Sequence, residues 1–268
     1  MEQESTLQPE QNSTESEGSF GQELSFLDKV TGIFTEPSNV FESIKKFEFK
    51  TLDWLIPTIV LILVAILSNS LIMSNPEIKV EVIAEQRAKM EEQFKDAVAE
   101  GRMSREQADT QIEQAEKMME GGLGTIFRSI GAMVFIFLFL FLVSLFYWLI
   151  WTKLLKGTGQ YKGALTVYGM TYWIGVVEVI LVVILSFVMV KLVQGVSIAT
   201  FVDFEKGSDL GYFVSKLNPF TLWGVYIAGI GLGKIFSVEK NKSLITIFII
   251  WVVYVIIAKF IPFLNWAG

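Results

Sequence analysis

Cysteine and histidine are both absent from the 268 residues of this chain, and proline occurs only six times. These absences exclude disulfides, thiolate nucleophiles, histidine bases and cysteine–histidine zinc sites. The net charge of −6 argues against a nucleic-acid partner, because nucleic acids are recognised by a basic face. No catalytic pair or nucleophile–base arrangement is visible either. We therefore expect no metal, no cofactor and no enzymatic activity.

Hydrophobic residues are abundant, at 52% of the chain, and they lie in long runs. A helix needs about 20 mostly apolar residues to cross the hydrocarbon of a bilayer. The sequence therefore predicts an all-α, multi-pass membrane protein within residues 54–264. Five spans are expected, with the second beginning near Ile126: Trp54–Met73, Met133–Trp151, Leu165–Val190, Pro219–Phe236 and Leu244–Leu264.

Two different segments precede the first span. Residues 1–23 are acidic and polar, a composition typical of a disordered tail. Residues 24–50 carry apolar side chains at helical spacing, interrupted at Pro37, and therefore predict two short amphipathic helices. Such helices suit the membrane interface or the ends of the spans, and the sequence leaves both positions open.

A hydrophilic insertion, residues 74–125, separates the first span from the second. Two apolar stripes at helical spacing predict a helical hairpin. Gly101 suits the end of its first helix, and Ser104 with Gln107 forms a capping box for the second. Three closely spaced glycines then predict a flexible return to the bilayer: Gly121, Gly122 and Gly124.

The distribution of lysine predicts a cytoplasmic N-terminus and an external C-terminus. Lysines are more frequent beside the span ends that this orientation places inside, although the external hairpin is also charged. The basic loop Lys153–Lys162 lies on the inner side in this arrangement. Its basic residues either reflect only the usual excess of positive charge on the inner side or contact anionic lipid headgroups. The expected location is the cytoplasmic (inner) membrane.

Glu178 is the leading functional candidate, because it lies near the middle of the third predicted span. An ionisable residue at such a depth costs free energy and usually indicates function. Asn69 and Lys259 lie at comparable depths in the first and fifth spans, so a polar cluster of the three is a hypothesis. The alternatives are an ion or proton pathway, a groove for lipid headgroups, or a structural pair that fixes helix register.

The glycines of the fourth span resemble a phosphate-binding loop only superficially. Ala228 and Ile235 stand where that motif needs a glycine and a hydroxyl. Gly229 and Gly233 instead form a GxxxG pair, which is typical of close packing between helices in a membrane.

Four short motifs in this order resemble those of the Yip family, the Ypt-interacting-protein domain, in its bacterial branch. They are Thr35-Glu-Pro37-Ser-Asn-Val-Phe-Glu-Ser-Ile44, Gly157-Thr-Gly-Gln-Tyr161, Asn218-Pro219-Phe220-Thr-Leu-Trp223 and Gly229-Ile-Gly-Leu-Gly-Lys234. The resemblance covers about Leu27 to Leu264 and implies five spans with a cytoplasmic N-terminus. Eukaryotic members bind small Rab-type GTPases, but their short first loop differs from the hairpin here.

The combined features favour a non-enzymatic membrane scaffold or organiser of Yip type. Its expected partners are membrane lipids, a protein bound by the hairpin or the N-terminal helices, and a second copy of the chain. The alternative hypothesis is a transporter or lipid-translocating protein that uses the carboxylate of Glu178.

Overall fold

The computed structural model describes residues 23–120, 122–202, 204 and 208–261. The predicted disordered tail therefore lies outside the described residues except for Glu23, as do Gly121 and the last predicted residues of the fifth span. Within the described residues the chain forms ten α-helices and no strand. The helices are α1 (Phe26–Thr35), α2 (Pro37–Lys46), α3 (Thr51–Ile72), α4 (Pro76–Ala99), α5 (Arg105–Glu120), α6 (Gly122–Leu149), α7 (Tyr161–Met189), α8 (Asp209–Lys216), α9 (Pro219–Phe236) and α10 (Lys240–Phe260).

Five helices are long and apolar enough to cross a membrane, which confirms the predicted all-α, five-span fold. They are α3, α6 with the short π-helix Ile150–Leu154 that continues it, α7, α9 and α10. Large apolar side chains remain exposed along them, including Leu63 and Leu142, each more than half exposed. Such surfaces are stable in lipid, where exposed apolar area has no aqueous cost.

Helix α7 is the centre of the bundle and packs against α3, α6 and α9, while α10 packs mainly on α9. Two glycines of α7 allow this close packing. A Cβ atom on Gly169 would lie 2.6 Å from Cβ of Trp54 in α3, and one on Gly163 would lie 2.5 Å from Ile235 in α9. We call the end of the bundle where α7 and α10 begin its N-terminal face, because α2 is attached there through Lys45 to Ser237 and Glu42 to Lys234.

The hairpin of α4 and α5 extends from the opposite face. Asn75 caps α4, since its side-chain oxygen accepts hydrogen bonds from the backbone of Glu77 and Ile78. The expected turn is present: Gly101 has a φ of 70°, and Ser104 and Gln107 bond each other's backbone N–H groups at 3.1 and 2.9 Å.

The return to the bilayer differs from the prediction. Helix α6 already begins at Gly122, and Gly124 lies directly against the carbonyl of Met118. A side chain at Gly124 would collide with that carbonyl, so this glycine permits the start of α6 to approach the end of α5 closely.

Candidate functional sites: the docked N-terminal helices and an intramembrane carboxylate

The apolar faces of α1 and α2 are buried against the spans. Ile33, Val40, Phe41 and Ile44 are each at most 1% exposed. The ring of Phe41 fills a notch at Gly231 of α9, where a Cβ atom would lie 2.8 Å from the ring. Of the two positions that the sequence leaves open for these helices, the structure shows direct packing on the bundle.

A buried ion pair attaches α1 to the first turn of α3. Nζ of Lys29 lies 3.1 Å from both carboxylate oxygens of Asp53, and both residues are at most 3% exposed. Lys29 also bonds the carboxylate of Glu23 at 3.2 Å. Two charges inside a protein need excellent geometry to offset their lost hydration, and this geometry is available only with α1 in its observed place against α3.

Exposed ion pairs surround this buried contact. Lys50 bonds Glu23 at 2.7 Å, and Lys50 together with Lys29 holds the pKa of the Glu23 carboxyl below its ordinary value of 4.5. Lys234, at the end of α9, bonds Glu42 of α2 at 2.8 Å and lowers the pKa of that carboxyl too. The N-terminal helices are thus tied to α3 and α9 by charge as well as by apolar burial.

Aromatic contacts show how far α1 reaches along the bundle. Phe26 packs on Trp173 of α7 with ring centroids 6.3 Å apart, and Phe34 packs on Trp223 of α9 at 5.7 Å. Trp173 lies 12 residues after the start of α7, or about 18 Å along the helix. Trp223 lies 13 residues before the end of α9, or about 20 Å from the same face, so both ends of α1 contact the bundle at a similar depth. Leu27 on the outer surface of α1 is 72% exposed.

Glu178 is bonded to Asn218, the residue that caps α9. The side-chain oxygen of Asn218 accepts hydrogen bonds from the backbone of Phe220 at 2.9 Å and Thr221 at 3.4 Å. Its amide nitrogen donates to Oε1 of Glu178. Gly195 covers the pair, since its Cβ atom would lie 3.3 Å from the amide nitrogen of Asn218.

Helix lengths explain why these two residues meet. The start of α7 and the end of α9 lie together, because Gly159 packs on the ring of Phe236. Glu178 is 17 residues after Tyr161, and Pro219 is 17 residues before Phe236. Each stretch rises about 26 Å, so α9 begins at the level of Glu178. The amino end of α9 therefore lies beside the carboxylate of Glu178.

The other two members of the hypothetical cluster lie elsewhere. Nζ of Lys259 lies 2.6 Å from Oδ1 of Asp209 in α8 and 5.4 Å from the ring of Phe213. Asn69 is exposed on α3. No hydrogen bond or ion pair recorded for the described residues joins Glu178 to Lys259 or Asn69, and the amide partner that sequence reasoning missed is Asn218.

The two glycines assigned to helix packing both lie against α10. A Cβ atom on Gly229 would lie 2.8 Å from Leu244, and one on Gly233 would lie 3.1 Å from Cβ of Ser243. The hydroxyl of Ser243 donates to the carbonyl of Gly229 at 2.6 Å and accepts from the indole of Trp151 at 3.0 Å. This contact joins α9, α10 and the end of the second span.

The residues that carry the family resemblance have identifiable places in the fold. Pro37 and Pro219 are the first residues of α2 and α9, where a proline loses no helical hydrogen bond. Phe220 is bonded through its backbone to the cap, Trp223 packs on α1, and Lys234 pairs with α2. These motifs therefore order α9 and attach the N-terminal helices to it.

Comparisons with known proteins agree with the resemblance. Neither the curated proteins nor the solved structures gave a match. The family model of the Yip1 domain matches residues 31–261, a range that includes all five spans, α2 and the hairpin. On this match the chain belongs to the Yip1 domain family.

Proposed function

We propose that this Yip1-domain protein is a non-enzymatic membrane scaffold that presents helical surfaces on both sides of a bilayer. The observation that carries the proposal is the attachment of α1 and α2 to the bundle. Their buried apolar face and the Lys29–Asp53 pair make them a fixed platform on the spans. A platform that keeps its position can present the same surface to a partner continuously.

The hairpin supplies a second surface. Its helices are covered with charged side chains, and α4 is 24 residues long, about 36 Å. Because α4 and α5 bury only a thin apolar seam, most of their surface is available to a protein partner or a second copy of the chain. We assign the hairpin to the outside and the N-terminal platform to the cytoplasm of an inner membrane, following the lysine distribution.

Photo-crosslinking in cells tests the scaffold directly. A photoreactive residue is placed at exposed Gln93 of α4, Gln111 of α5 or Lys45 of α2, and at exposed Leu142 within a span as the control. We expect protein adducts, to a partner or a second copy, from at least one extramembrane position and lipid adducts from position 142. If none of the three extramembrane positions yields a protein adduct, the proposal is contradicted.

Glu178 motivates the alternative, a transporter or lipid translocator, because a carboxylate lies within a span. Its bond to the capping residue of α9 supports a structural role instead. Glu178→Gln separates the two functions, since glutamine still accepts a hydrogen bond from Asn218 but carries no charge. Loss of a lipid or ion flux in vesicles containing this variant would support transport, and a flux equal to that of the wild type would reject a role for the charge.

A further inference from the structure

Two loops on the N-terminal face are joined into one surface. The backbone N–H of Thr158 donates to the carbonyl of Phe236 at 2.9 Å. A Cβ atom on Gly157 would lie 2.7 Å from that carbonyl and 2.8 Å from Val238. The loop before α7 therefore rests directly on the turn between α9 and α10.

Five exposed lysines surround this joint: Lys153, Lys156, Lys162, Lys240 and Lys242. We call them the loop lysines. Glu239 is the one acidic residue within residues 150–162 and 236–243. The salt bridges found among the described residues include none of the five, whereas Lys29, Lys50 and Lys234 on the same face are each paired with carboxylates. Among the residues that the structure describes, the positive charge of the loop lysines is thus not neutralised by an ion pair.

Aromatic residues place this surface at the depth of lipid headgroups. The indole of Trp148 donates to the carbonyl of Gly159 at 3.3 Å, and its ring lies 6.5 Å from that of Tyr161. Indole and phenol groups concentrate at the boundary between hydrocarbon and headgroups. Lysines in the first turns of α7 and α10 and in the last turn of the second span share that boundary.

We propose that the loop lysines form a binding surface for anionic phospholipid headgroups. A lipid is favoured over a soluble polyanion because the charges ring the ends of three spans, where headgroup phosphates are already concentrated. The inference deepens the proposed scaffold function by giving it a class of lipid partner.

The test uses the full chain in phosphatidylcholine vesicles that contain spin-labelled phosphatidylglycerol or, separately, spin-labelled phosphatidylcholine. The measured quantity is the fraction of label immobilised at the protein surface. We expect the wild type to prefer phosphatidylglycerol several-fold, with the preference weakening as salt screens the charges. Replacing all five loop lysines by glutamine should remove the preference.

Two matched variants control for charge and folding. Replacing the loop lysines by arginine keeps the charge and should keep the preference, as should glutamine at the hairpin lysines Lys79, Lys89, Lys95 and Lys117. The proposal fails if the wild type shows no preference or if the five-glutamine variant retains it. It also fails if soluble phosphate abolishes the preference while chloride at equal ionic strength does not. The crosslinking experiment on the scaffold is independent of all these results.

Discussion

The two pairs of helices that are not spans, α1–α2 and α4–α5, are attached to the bundle in opposite ways. The first pair buries Phe41 and a complete ion pair against the spans. The second pair contacts the bundle near its base, where Ile78 and Val82 pack with Ile72. One pair therefore belongs to the membrane domain, and the other largely stabilises itself.

Within the hairpin the interactions are internal. Arg87 of α4 bonds Glu116 of α5 at 3.2 Å, and Ala108 and Ile112 form the buried side of α5. Beyond Val82, α4 continues for 17 residues, about 25 Å. Helices α1 and α2 therefore form a platform that is part of the membrane domain. The α4–α5 hairpin is an arm that is held together mainly by its own contacts.

The largest expected effect comes from breaking the buried ion pair. Asp53→Asn removes the main partner of Lys29 and leaves a charge at a site that is 3% exposed. We expect a loss of about 3 kcal/mol, because Glu23, which is 28% exposed, then compensates the buried charge of Lys29 only in part. Thermal unfolding in detergent measures the loss, and hydrogen exchange should accelerate in α1.

A double variant supplies the control for this prediction. Lys29→Met combined with Asp53→Leu removes both charges and should restore most of the stability, because an apolar pair of similar size has no desolvation cost. If the single and double variants lose equal stability, the loss does not come from the buried charge that Asp53→Asn leaves on Lys29.

The next largest effect is at the notch that receives Phe41. Gly231→Ala places a Cβ atom 2.7 Å from Val167 and 2.8 Å from Phe41, so we expect a loss of about 1–3 kcal/mol from overpacking. Gly224→Ala in the same helix is the matched control, since its Cβ atom meets nothing within 4 Å. It should leave stability unchanged or raise it slightly. Equal unfolding temperatures for the two variants would show that the close contact between Phe41 and Gly231 does not stabilise the bundle.

A third prediction concerns the end of the bundle from which the hairpin extends. There we expect the cap of α9, and not the hairpin, to stabilise the ends of the spans. Asn218→Ala removes the cap and should cost about 1 kcal/mol, with faster exchange in the first turn of α9. Glu178→Gln should cost less, because the amide of Asn218 keeps an acceptor. A greater loss from Glu178→Gln than from Asn218→Ala would show that the charge itself stabilises this end of the bundle.

Sequence patterns predicted the spans and the hairpin turn because those depend on local chemistry. Long apolar runs define the helices that cross lipid, and Gly101 and Ser104 act within a few residues of themselves. The Lys29–Asp53 pair was not predictable in the same way. Its two residues are 24 positions apart, and their contact depends on how α1 folds back onto α3.

Sequence patterns predicted one residue of the intramembrane site, Glu178, but not its partner, Asn218. Depth alone suggested Lys259 as a partner for Glu178, but depth does not say which side of a helix faces which neighbour. Helix α8, which the sequence analysis does not predict, provides Asp209 for Lys259. Asn218 could have been found by matching the length of α9 against α7, together with the capping preference of Asn before Pro.

Acid should weaken the ion pairs of Glu23 and so slightly increase amide exchange in the N-terminal platform. The pKa of Glu23 is lowered by Lys50 and Lys29, so its contribution is present above the ordinary value of 4.5 and is lost as the pH falls through the lowered value. We expect the amides at the start of α1 to exchange faster, after correction for intrinsic rates, as the pH falls below about 4.5. Glu23→Gln should remove this part of the acid response, and an unchanged response would assign it to another carboxylate.

The smallest change in the unfolding temperature is expected from a substitution in the hairpin. The test is whether that change is as small as we expect. Arg87 is 52% exposed in its pairs with Glu91 and Glu116, so solvent and salt screen both contacts. Arg87→Gln should therefore leave the unfolding temperature of the bundle within error, because the hairpin contributes little to the membrane domain. A loss comparable to that of Asp53→Asn would show that the arm and the platform are equally part of one cooperative unit, which would overturn the contrast between the two pairs of helices.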